Sequence, residues 1–154
     1  MISLVSASPD TKATVTRLLR NQTDIGNAIK PFYGNAAGAA LTKELRAHIL
    51  IAADVIAAAK AGDQAKLAAE QARWRANAAD IATLLSRANP HWHRAALVAM
   101  LGEHLRLTTQ EVVARLRGKW GADVAAYDRI HLHALHMADT LSAGLIDQFP
   151  GRFR

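Results

Sequence analysis

Residues 41–85 read LTKELRAHILIAADVIAAAKAGDQAKLAAEQARWRANAADIATLL, and the placing of apolar residues in this stretch decides the fold. Leu41, Leu45, Ile49, Ala52 and Ile56 recur every three or four positions, the interval that keeps side chains on one face of a helix. Leu67, Trp74, Ala78, Ile81 and Leu85 do the same in a second run. Only Gly62 and Asp63 separate the two segments, glycine being the residue that tolerates the left-handed backbone at a helix end. Two helices joined by so short a connection must fold back antiparallel, so the spacing predicts an αα-hairpin.

Working outward, Ser8 and Pro9 read as an N-cap followed by proline at the first helical position. Val15, Leu18, Leu19, Ile25 and Ile29 continue that helix to about Lys30, where Pro31 is expected to stop it and Phe32, Tyr33 and Gly34 to turn the chain. Beyond the hairpin, Asn89 and Pro90 close the third helix, and Leu97, Leu101, His104 and Leu105 mark a fourth. Thr108 and Glu111 have capping-box spacing, which predicts a boundary or kink. A short segment then runs to Gly118. The last helix is expected from near Gly121 to near Gln148, before Pro150. It carries two apolar stripes (Ile130, Ala134, Met137, Leu141 and Leu145; Leu132, Leu135 and Ile146), the pattern of a central helix. No stretch alternates with period two, and no internal repeat is present. The expected fold is all-α, an up-and-down antiparallel bundle of about five helices in one domain spanning residues 1–154.

Composition agrees. The chain has 154 residues, a length suited to one core, and 33 Ala with 18 Leu make a third of it strong helix formers. The absence of cysteine excludes disulfides, thiolate metal sites and cysteine nucleophiles. Nineteen Lys and Arg against thirteen Asp and Glu leave a net charge of +6, which permits attraction to nucleic acid or anionic lipid. The cations are dispersed, however. The densest group, Arg115, Arg117 and Lys119, reads as a solvated helix end, and nothing in the sequence places Trp74, Trp92 and Trp120 on one surface beside the arginines, so no nucleic-acid partner is expected. The first ten residues lack the basic and apolar regions of an export signal, which points to the cytoplasm. The most apolar window, residues 49–61, is too short to span a membrane and carries Asp54, so it reads as a core helix.

Seven histidines are the chain's chemical feature. His48, His104 and His133 each continue an apolar stripe on a different helix, so three imidazoles are expected to point inward. Facing helices of bundles assemble metal sites in this way, and neutral imidazole serves Fe, Zn, Cu and Ni alike. Asp139 lies between Leu135 and Ile146, and a buried carboxylate there would need a cation or strong hydrogen bonds; Glu44 stands one turn before His48, and Asp54 is a weaker candidate. The Glu-x-x-His repeat of di-iron bundles is absent. His91-Trp92-His93 reads as an exposed first turn, since neighbours one and two apart do not share a helix face. Met100 or Met137 with a histidine leaves non-covalent haem as a weaker alternative, no C-x-x-C-H being present. Dinucleotide, Walker and nucleophile-elbow motifs are missing.

Five segments carry a resemblance: LLRNQTDIGNAIKPFYG (18–34), HILIAADVIAAAKAGD (48–63), RWRANAADIATLLSRANP (73–90), LTTQEVVARL (107–116) and MADTLSAGLIDQFPGRF (137–153). Together they resemble a family of small bacterial all-helical bundle proteins without an assigned activity. The resemblance implies a helical bundle and no particular reaction. It implies histidines at His48, His104 and His133 and an aspartate at Asp139, in preference to His91, His93 and His136. It further implies a preceding helix, sometimes behind an export signal, which this chain would lack; the groove so exposed could be filled by another subunit.

Two functions are therefore expected in competition. The first is a transition-metal-binding bundle with His48, His104, His133 and Asp139 as ligands and Glu44 orienting His48. The second is a non-catalytic helical interaction module that self-associates into a homo-oligomer through an exposed groove.

Overall fold

The computed structural model describes residues 2–153, and among them every regular element is a helix. These are α1 (Ile2–Val5), α2 (Thr11–Ala61), α3 (Gln64–Ala88), α4 (Arg94–Leu116) and α5 (Trp120–Gln148), with a 3-10 turn at Pro150–Arg152. The all-α, bundle-like expectation is met. The chain forms two compact units, Met1–Ile81 and Ala82–Arg154, whose boundary falls inside α3. No helix among the described residues is long and apolar enough to cross a membrane.

In the first unit α2 is two helices. Gly34 has φ 83° and ψ 169°, a conformation open essentially to glycine alone, and it reverses the chain. The arms 11–33 and 35–61 then run side by side, with Arg46 Nη1 donating to the Leu19 carbonyl at 3.3 Å, and at the far end of the second arm Lys60 Nζ donates to the Leu4 carbonyl of α1 at 3.1 Å. Gly26 and Gly38 meet where the arms are closest, and a Cβ on either would stand 2.6 Å from the other's carbonyl oxygen. The expected turn is therefore present, but Pro31 does not make it. Proline removes one helical hydrogen bond and crowds the carbonyl four residues back, which can bend an arm but not fold it back, whereas the reversal needs the positive φ of Gly34. The N-cap is also displaced. Asp10 precedes α2, while Ser8 supplies its carbonyl to the Thr11 N–H and hydroxyl, beneath a short α1 that no periodicity announces.

The αα-hairpin forms as expected. Gly62 ends α2 at φ 70°, with its N–H on Ala59 O and the Asp63 N–H on Ala58 O, both at 3.2 Å. Asp63 Oδ1 then accepts from the Lys66 N–H at 2.9 Å, starting α3. Leu41, Ile51, Val55, Ile56, Trp74, Ala78 and Ile81 are buried.

In the second unit α4 and α5 are antiparallel about Gly118 (φ 64°), which closes α4 with the same pair of bonds as Gly62 closes its helix. Asn89, wholly buried, donates Nδ2 to the Gly144 carbonyl at 2.8 Å, and Trp92 Nε1 donates to Leu141 O at 3.2 Å. Trp92 thus leaves the turn that His91 and His93 expose, contrary to the exposed reading of all three. No kink occurs at Thr108: its hydroxyl donates back to His104 O at 2.8 Å instead of capping, and α4 continues through it. Nor is α5 a central helix. It packs through Asp123, Ala126, Ile130, His133, Met137, Leu141 and Gly144, whereas Leu132, Leu135 and Ile146 are exposed.

Candidate functional site

His48, on the second arm of α2, is buried against Trp74 of α3, with ring centroids 5.3 Å apart. Its Nδ1 lies 2.8 Å from Asn77 Oδ1. The Asn77 amide nitrogen donates to Glu44 Oε2 at 3.1 Å and to the Glu44 carbonyl at 3.2 Å. The amide's orientation is thereby set, and only its oxygen faces His48. His48 Nδ1 must carry the proton, leaving the lone pair on Nε2. Burial holds the imidazole below its usual pKa, against the opposing pull of the Asn77 bond, and so keeps it neutral. Glu44 reaches His48 through Asn77 and not directly as expected. Asn77 was legible only as a polar residue beside Ala78 in the α3 stripe.

His104 and His133 meet between α4 and α5, with ring centroids 6.1 Å apart and planes 20° from parallel. His133 Nε2 is 3.0 Å from the Met100 carbonyl, an acceptor only, so Nε2 bears a hydrogen. Asp139 is exposed on α5. Six residues beyond His133 it lies well over a turn and a half further on, away from that ring's face, and its exposure removes the need for a buried counter-charge. Asp54 pairs with Arg73 at 3.3 Å in a solvated ion pair.

The four expected ligands and Glu44 thus fall into two groups, His48 with Glu44 in the first unit and His104, His133 and Asp139 in the second. The structure brings His48 to Glu44 through Asn77, and His104 to His133. Among the described residues no set of three or more His, Asp or Glu side chains is grouped as a metal site.

A third cluster escaped the sequence reading. Glu111 and Asp123 are both buried, and Asp123 Oδ2 accepts from Arg115 Nη1 at 2.9 Å, while Oδ1 is buried with no hydrogen-bond partner. Burial raises the Glu111 pKa, and the nearby Asp123 charge acts in the same direction. Arg115 is therefore no solvated helix end: it is half-buried, and its guanidinium also lies 4.9 Å from the Trp120 ring centroid.

The second unit also exposes apolar side chains on the outer face of α5. Val124 is 60% exposed, Tyr127 56%, Leu132 66%, Leu135 51% and Ile146 44%. Spread over some six turns, these side chains share one face with the exposed Asp128, His131, Asp139 and Ser142, on a helix whose opposite face is packed. Comparison with protein-family models, curated proteins and solved structures gives no match.

Proposed function

We propose that the chain is a non-catalytic helical interaction module that pairs with a second copy of itself along the outer face of α5. The exposed apolar row on that helix carries the reading. Val124, Leu135 and Ile146 are spaced eleven residues apart, close to three full turns, so they lie nearly on one line. An antiparallel two-fold pairing centred on Leu135 sets Val124 of one copy against Ile146 of the other. His131 and Asp139 flank Leu135 four residues to either side, and the same operation brings each His131 opposite an Asp139. The order of residues along the face is therefore matched to itself under this operation, as an isologous contact requires. The seam is about 33 Å long, at 1.5 Å per residue.

Sedimentation equilibrium tests this. The wild-type chain is expected as a dimer and Leu135→Glu as a monomer with unchanged helical circular dichroism. A wild-type monomer at high micromolar concentration overturns the reading.

A second reading keeps part of the metal expectation and is favoured by the His104–His133 pair alone. Two imidazoles would hold a zinc, copper, nickel or iron ion whose remaining ligands come from water or exposed carboxylates. Metal content after purification, compared between wild type and His104→Ala with His133→Ala, decides it; equal content ends the proposal. A haem absorption band in the same sample would favour haem instead.

A further inference from the structure

The connection between α4 and α5 combines features that the self-association reading does not use. At the end of α4, Val113 is 37% and Leu116 38% exposed, and at the start of α5 Trp120 is 59% exposed. Arg117 and Lys119 stand exposed among them. From residue 111 to residue 127 the acidic side chains are Glu111 and Asp123, and both are buried. Asp123 is moreover matched by Arg115, which leaves Arg117 and Lys119 as the charges this end of the hairpin presents. The Trp120 ring is held over the Arg115 guanidinium, so its position is restrained although it is exposed.

We infer that this end of the α4–α5 hairpin docks on an anionic lipid bilayer. A water-exposed tryptophan, two aliphatic side chains and two cations with no exposed carboxylate between them match the bilayer interface: the indole and aliphatic groups enter the headgroup boundary and the cations meet lipid phosphates. Single-stranded nucleic acid would meet the cations and the indole equally well, but Val113 and Leu116 offer it neither a stacking face nor a hydrogen bond. The inference uses none of the residues assigned to the pairing along α5, whose near end, Val124, lies about one turn beyond Trp120.

The three tryptophans make the test selective, because Trp74 and Trp92 are buried and only Trp120 can respond to a surface. The full chain is mixed with vesicles of phosphatidylcholine containing a third phosphatidylserine, and bound protein is measured by co-sedimentation alongside tryptophan emission. Binding with a blue shift is expected, weakening as salt is raised and absent on phosphatidylcholine alone. Arg117→Glu with Lys119→Glu is expected to reduce partitioning at least about tenfold, and Trp120→Phe to remove the blue shift while retaining most of the binding. No sedimentation with the anionic vesicles, or unchanged sedimentation of the charge-reversed variant, overturns the inference. So does an emission change with a single-stranded oligonucleotide but not with vesicles, which would make nucleic acid the occupant.

Discussion

Asn77 accepts from His48 through its side-chain oxygen and donates to Glu44 through its nitrogen, so one amide joins two helices and fixes the histidine's tautomer. Asn77→Ala would leave the buried His48 N–H without this partner. The expected cost is about 1–3 kcal/mol, measured by urea unfolding at pH 8. A loss within error of zero would mean that the amide does not hold the ring.

The same pair gives stability a dependence on pH. Burial lowers the folded-state pKa of His48 below its ordinary value of 6.5, so the unfolded chain takes up this proton first as the pH falls. The resulting stabilisation is present above pH 6.5 and is lost as the pH falls through the folded value. His48→Gln should flatten the fall in melting temperature between pH 7 and pH 5; an identical slope would place its origin elsewhere.

Glu111 acts with the opposite sign. Its folded pKa is raised above the ordinary 4.5 by burial, so its contribution is complete below pH 4.5 and fades as the pH rises through the folded value. Glu111→Gln, which keeps the shape and removes the ionisation, is expected to be at least as stable as wild type at pH 7 and to gain relative to it between pH 4 and pH 7. A variant that loses stability steadily across that range would show the carboxylate to be favourably paired.

Gly144 has no room for a side chain, because the Trp92 indole occupies the space that a Cβ would take. Gly144→Ala should destabilise the second unit by about 1–3 kcal/mol through overpacking. Combining it with Trp92→Leu should cost less than the sum of the two single changes, since removing the indole relieves the clash. Strict additivity in chemical denaturation would separate the two residues.

Gly34 and Gly102 test the backbone in contrast. A Cβ would meet no neighbour within 4 Å at either position, yet only Gly34 has a positive φ, at 83°. Gly34→Ala is expected to cost about 1–3 kcal/mol. Gly102→Ala, inside α4, should stabilise by about 0.5–1 kcal/mol. Similar effects at both sites would remove Gly34 as the origin of the reversal.

The chain's own periodicity determined the long helices, the antiparallel turn at Gly62–Asp63, the end of α5 at Gln148 and the apolar face on which Trp74 lies, because these depend on spacing within a few turns. Position along a stripe also showed that His48, His104 and His133 face inward. It could not show what each ring meets. Asn77 lies 29 residues from His48, and the choice between the two apolar stripes of α5 depends on which one finds α4. In sequence both stripes are apolar; only packing turned Ile130 and Met137 partly out of solvent while leaving Leu132 and Leu135 exposed. Glu111 and Asp123 were hidden for the same reason. A carboxylate looks solvated until tertiary contacts enclose it and place the one guanidinium that offsets its charge.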